Sequence, residues 1–162
     1  MSFPARPALA LVSLACASAV GAAVWTQYHL DMQPCPWCIL QRILFIAIAA
    51  VCLVAAAQPW ALLRRLLSVL VVGLCGAGVA AAYWQHFVAA KSSSCALTLA
   101  DKVITTLGVD TRWPDLFEVR ASCADAAAKL LGVPFEFWSL ALFALVAIVA
   151  LISAITPPRR HA

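Results

Sequence analysis

The chain has 162 residues, of which 65% are hydrophobic and 11% charged, and its formal net charge is +4. That balance excludes an ordinary soluble domain, because so much apolar surface does not fit inside one aqueous core. It leaves a membrane protein, and the positive charge gives no reason to invoke nucleic acid, since the basic residues fall where membrane topology accounts for them.

Crossing a hydrocarbon layer of about 30 Å takes roughly 20 helical residues. Four stretches have that length, at 8–28, 38–57, 66–85 and 134–156. The first imitates a secretory signal, with Arg6 ahead of it and small residues from Ala17 to Ala23. Its apolar run outlasts the about 7 to 15 residues of a signal core, and three further spans follow, so it is read as a membrane helix.

The loop at 29–37 leads into Cys35-Pro36-Trp37-Cys38. A dithiol at the mouth of an apolar span can exchange electrons with something in the membrane. The strand-helix-strand context of the soluble redox motif is absent, and Ile39 stands where haem attachment needs histidine. Pro36 suits the first helical position, which puts Cys35 near the N-cap and Cys38 in the first turn. There the free backbone N–H groups favour negative charge on sulfur. Arg42 follows one turn later on the same face and can add to that field or hold an anionic partner. The uncharged run from Ile43 to Ala57 is only about 22 Å long at helical rise, so Arg42 belongs at or just inside the membrane edge. The plainer reading of such an arginine is an interfacial anchor that snorkels to headgroups; Cys38 one turn away favours the functional one.

The short connection at 58–65 makes the second and third spans antiparallel neighbours, and Gly73, Gly76 and Gly78 would let helices approach closely. After the third span comes the long loop at 86–133. Leu97, Leu99, Val103, Ile104 and Leu107 form a short amphipathic pattern suited to a membrane surface, and Gly108 and Pro114 read as turns. The economical architecture is an all-α membrane protein, a bundle of four transmembrane helices with this long loop between the third and fourth.

Four spans place both chain ends on one side and the first and third loops on the other. Cys35, Cys38, Cys95 and Cys123 therefore share a compartment, whereas Cys16, Cys52 and Cys75 fall within spans, where a free thiol acts as a small apolar group. Arg6, Arg64, Arg65, Arg159 and Arg160 cluster in short flanks on the terminal side, which predicts cytoplasmic termini. Cysteines paired outside the cytoplasm agree with that orientation. Cys95 and Cys123 suit a structural disulfide, worth about 3 to 4 kcal/mol, or a second dithiol that exchanges with the first. Four cysteines allow three full pairings, and a four-cysteine zinc site is disfavoured because the second pair lacks close ligand spacing.

The run Pro34-Cys35-Pro36-Trp37-Cys38-Ile39-Leu40-Gln41-Arg42, the second cysteine pair and the four spans resemble the DsbB family of disulfide bond formation proteins of bacterial inner membranes. Tyr83 to His86, Trp113-Pro114 with Phe117, Ala121-Ser122-Cys123, and Leu131-Gly132 ahead of Trp138 extend the likeness over nearly the whole chain. Gln41 stands where some members carry an acidic residue, and Pro134 is displaced from the family proline. The resemblance implies a protein dithiol:quinone oxidoreductase that reoxidises a DsbA-like periplasmic thiol oxidase and passes the electrons to ubiquinone or menaquinone. It implies that Cys95 is attacked by the partner's thiolate, that Cys123 links the loop to the inner pair, and that Cys35 exchanges with that loop cysteine. By the same likeness Cys38 faces the quinone with Arg42 beside it, and His86 lies near the ring. The alternatives are a specialised paralogue with a dedicated partner, a vitamin K epoxide reductase-like enzyme, which the cysteine placement disfavours, and a non-enzymatic four-span scaffold with inert loop disulfides.

Overall fold

The computed structural model describes residues 4–91, 98–126 and 128–156. Cys95, Arg159 and Arg160 lie outside the described residues. Among the described residues four helices have the length and apolarity to cross a membrane: α1 (Ala5–His29), α2 (Pro36–Ala57), α3 (Ala61–Phe87, continued by a single 3-10 turn to Lys91) and the last helix, Phe135–Ile155. Between α3 and that last helix the chain forms α4 (Leu99–Leu107), two single-turn helices α5 (Val109–Arg112) and α6 (Pro114–Phe117), and a small hairpin of β1 (Lys129–Leu130) and β2 (Val133–Pro134). The last helix is α7. The four-helix membrane bundle expected from hydropathy is the fold.

The pairs α1 with α2, α2 with α3, and α3 with α7 make the main packing surfaces. Their shared core is almost wholly hydrocarbon and includes Leu9, Phe45, Ile48, Val71, Phe143 and Val146. Cys16, Cys52 and Cys75 are fully buried in it as free thiols and take part as apolar groups. Of the three glycines expected to bring helices together, only Gly78 does so. A Cβ there would sit 2.5 Å from the Phe143 ring, which itself stacks on Phe45 at 4.0 Å between centroids. Among the described residues Gly73 and Gly76 have no neighbour within 4 Å of an added Cβ, and both lie on the exposed side of α3.

The two ends of the bundle differ in kind. At the end carrying the termini, arginines satisfy open helix carbonyls: Arg6 Nε donates to Ala56 O at 3.0 Å, and Arg65 Nη2 donates to Thr156 O at 3.1 Å. At the opposite end the long loop folds back over α2. The amphipathic segment forms α4, opened by a capping box between Thr98 and Asp101 and closed by Gly108 in the left-handed region at φ 60°. Its buried side, Ala100 and Ile104, packs onto the end of α2 and the loop, with Ile104 joining Ile39 and Phe117 in a small cluster. Leu99 and Leu107 stay exposed. One side of α4, through Ala100 and Ile104, thus docks on the bundle, while Leu99 and Leu107 of the apolar pattern stay outside that contact and Leu97 lies outside the described residues.

Candidate active site

Pro36 begins α2, so Cys35 is its N-cap, with extended backbone and a sulfur that accepts from Cys38 N at 3.4 Å. Extended geometry at the cap followed by one helical turn brings the two sulfurs of the Cys-Pro-Trp-Cys motif together. Cys35 Sγ and Cys38 Sγ are 3.1 Å apart as free thiols. The loop delivers a third. Arg120 N and Ala121 N both donate to Pro34 O, at 3.0 and 3.2 Å, which ties the segment before Cys123 to the residue before Cys35. Cys123 packs beside Cys35, Trp37 and Cys38, and its thiol is within hydrogen-bonding reach of Cys35.

Cys35 is therefore the middle member of a row of three sulfurs. Its thiol proton is shared toward Cys123 and then toward Cys38, and full burial adds to this, so its pKa is raised well above the ordinary thiol value. Cys123 receives that hydrogen bond, helped by one from the Trp37 backbone, and its pKa is lowered despite burial and the nearby Cys38 and Asp101. In the reduced protein the hydrogen bond from Cys35 thus favours the thiolate form of Cys123, and the thiolate is the form that attacks disulfides.

Cys38 opens onto a cavity of about 290 Å³ enclosed by α1, α2, α3, α7 and the loop segments. Small and apolar side chains such as Ala19, Ala23, Phe45 and Leu142 make most of its wall. Its polar groups are few and organised. Arg42 is buried and donates through Nη1 to Gln27 Oε1 at 2.8 Å and Leu116 O at 2.9 Å, and through Nη2 to Ala23 O at 3.2 Å. It joins α1, α2 and α6 at the cavity. Gln41 Nε2 donates to Gln85 Oε1 at 2.7 Å, and Gln85 Nε2 donates to Cys38 Sγ at 3.3 Å. Gln41 thus orients the amide that contacts the Cys38 sulfur.

His86 does not line this cavity. Its Nδ1 lies 2.6 Å from Glu136 Oε1, and Glu136, nearly fully buried in the first turn of α7, does line it. Sequence reasoning did not single out Glu136, Gln27 or Gln85. The available signal was polarity itself, because a polar or ionisable side chain inside an apolar span is a functional candidate.

A row of three thiols at the end of four membrane-length helices, its inner member facing an apolar cavity inside the bundle, defines a membrane thiol–disulfide oxidoreductase. The disulfide bond formation protein DsbB family model matches residues 5–153. Disulfide bond formation protein B 1 of Pseudomonas putida is 32% identical over 145 residues, covering 89% of this chain and 86% of that protein. Disulfide bond formation protein B of Herminiimonas arsenicoxydans is 31% identical over 151 residues, covering 92% and 94%, and its namesake in Burkholderia pseudomallei is 28% identical over 150 residues, covering 91% and 88%. The chain belongs to the DsbB family, and it is a disulfide-generating oxidoreductase of the membrane.

Proposed function

We propose that this protein reoxidises a DsbA-like periplasmic thiol oxidase and passes the electrons to ubiquinone or menaquinone in a bacterial inner membrane, with both termini cytoplasmic and the redox cysteines periplasmic. The observation that carries this reading is the position of Cys35, in reach of Cys123 on its outer side and of Cys38 on its inner side. A disulfide held by the inner pair and one held by the loop pair, which hands it on to the partner, are then interchangeable by thiolate attack alone.

In this scheme Cys95 forms the mixed disulfide with the partner and Cys123 is released as a thiolate. Cys123 attacks Cys35 of the oxidised inner pair and displaces Cys38 as a thiolate; the partner's second thiolate displaces Cys95 and leaves as a disulfide, and Cys95 then attacks Cys123, which reforms the loop disulfide, releases Cys35 and leaves Cys35 and Cys38 as a dithiol. The cavity suits a quinone. Its walls are apolar enough for a planar ring, its volume is near the lower end of ordinary ligand sites, and Gln33 Oε1 is a buried acceptor on its lining with no partner among the described residues. Arg42 and Gln85 would hold the oxygens of the ring, with Cys38 Sγ facing it. A bound quinone supplies an acceptor for the two electrons and two protons that the Cys35 and Cys38 dithiol gives up on becoming a disulfide. Arg42 fixes the polar side of the site without losing its own proton.

The decisive experiment incubates purified protein with a reduced DsbA-like protein and decyl-ubiquinone or a short-chain menaquinone while following quinol formation. Turnover abolished by Cys38→Ser and by Cys35→Ser is the expected result. No turnover of either quinone by the intact protein overturns the reading.

A further inference from the structure

The thiol row and Arg42 account for electron flow at the cavity but leave a buried acid there without a role. Glu136 is the one carboxylate on the cavity lining among the described residues, and only 5% of it is exposed. An ionisable side chain is costly inside an apolar span unless it is paired and used. Its partner is His86, at 2.6 Å, and the His86 side chain is 32% exposed near the loop end of α3. The imidazole is clamped by Phe87 and Phe137, with ring centroids at 4.8 and 4.7 Å, so it is held in line with the carboxylate. An acid that faces the cavity, bonded to a base that faces outward, is a continuous path between the two.

We propose that His86 and Glu136 form a proton relay, in which Glu136 delivers a proton from its carboxyl oxygen into the cavity and is reloaded from His86 Nδ1, the histidine drawing on water at the loop end. The inference rests on the proposed quinone reductase activity. Its balance is simple: oxidation of Cys35 and Cys38 forms one S–S bond and releases two electrons and two protons, and reduction of a quinone to a quinol consumes both. The relay supplies one of the two quinol protons and the inner dithiol the other, while the remaining thiol proton leaves toward the loop. Glu136 is thus assigned as a catalytic acid, and His86 as a positioning and reloading residue that acts through it.

Other ionisable groups lie on the elements packed here. Cys38 and Arg42 of α2 line the same cavity, and Arg42, which donates to Gln27, Leu116 and Ala23, is a guanidinium that keeps its proton and so does not serve as the acid. His29 of α1 is turned onto Trp25, bonding its carbonyl at 3.0 Å, Lys91 sits over the Phe87 ring, and Lys129 of β1 is exposed. Among the described residues, Glu136 alone joins the cavity to an outward-facing base.

The test measures kcat for decyl-ubiquinone reduction, and separately the affinity of the same quinone by tryptophan fluorescence quenching, in Glu136→Gln, His86→Ala and the double variant. A loss in kcat on the order of 10²-fold in Glu136→Gln is expected, the scale of general acid catalysis. Quinone affinity should stay within about twofold, the double variant should be no slower than Glu136→Gln alone, and added imidazole should restore His86→Ala but not Glu136→Gln. Unchanged kcat in Glu136→Gln, or a fall in affinity that matches the fall in kcat, overturns the relay. Should Glu136→Gln fail to fold, absence of imidazole rescue in His86→Ala overturns it equally. If the unmodified protein neither binds nor reduces decyl-ubiquinone, the functional reading fails first, so the two failures are distinguishable.

Discussion

Arg42 is a buried guanidinium whose partners among the described residues are neutral oxygens, one from Gln27 and two from backbone carbonyls. Three neutral acceptors hold it in place without neutralising it, so its field remains available to an anion formed beside Cys38. Hydrogen bonds to a charged group are worth about 1.5 to 3 kcal/mol, which sets the expected effect of removing it. Arg42→Ala should raise the quinone KM by roughly 10-fold to 100-fold while loop disulfide exchange with the thiol partner persists, and steady-state kinetics with varied quinone check this. Arg42→Lys should recover little, because a point charge cannot span the three acceptors. At the outer sulfurs the directions of shift give a pH prediction. The Cys35 thiol proton stabilises the Cys123 thiolate, so in the reduced protein Cys123 should be alkylated by iodoacetamide at lower pH than a free cysteine, and Cys35 only at higher pH. Cys35→Ala removes the donor and should move the Cys123 profile upward toward an ordinary thiol. Peptide mass spectrometry of quenched samples reads both profiles, and a Cys123 profile unmoved by Cys35→Ala would contradict the shared proton.

The elements show which sequence signals carry structural meaning and which need neighbours to interpret. Pro36 and the extended cap at Cys35 are local features, and the helix start they imply is where α2 begins. Gly73, Gly76 and Gly78 look alike in sequence, yet only Gly78 meets another helix, because which face of α3 turns inward is decided by Phe143 on α7. Gly78→Ala should therefore destabilise the bundle by about 1 to 3 kcal/mol, since the stacked Phe143 ring cannot retreat from the new methyl group without disturbing Phe45. Gly76→Ala should be neutral or slightly stabilising, as its site is open and alanine is the better helix former. Thermal unfolding in detergent separates them, and equal midpoints for the two variants would refute the packing account. The same logic explains the site. Cys35, Cys38 and Arg42 are legible from spacing because one helix presents all three. Glu136 and His86 are 50 positions apart, and Gln41 and Gln85 are 44, so their pairing exists only once α2, α3 and α7 have packed.

At the scale of the whole molecule the two ends of the bundle have separate chemistries. One end gathers the thiol row, the cavity and the folded loop; the other has arginines that close helix carbonyls, with Arg6 on Ala56 and Arg65 on Thr156. Four spans make that division a matter of counting, and the structure agrees in bringing the 29–37 loop and the Cys123 segment to one end. Which end faces the cytoplasm is a different question, and the proposed orientation rests on charge density and not on packing. The short, uninterrupted basic flanks around Arg6 and around Arg64 and Arg65 resist translocation, and Asp and Glu in the long loop do little to offset its own lysines and arginines. The proposed orientation predicts that alkaline phosphatase fused after Thr156 is inactive in cells, whereas the same enzyme inserted at exposed Lys102 is active. Replacing Arg6, Arg64 and Arg65 together by glutamine should send part of the population in inverted, raising activity of the Thr156 fusion. Strong phosphatase activity from the unaltered Thr156 fusion would reverse the assignment and, with it, the access of a periplasmic partner to Cys123.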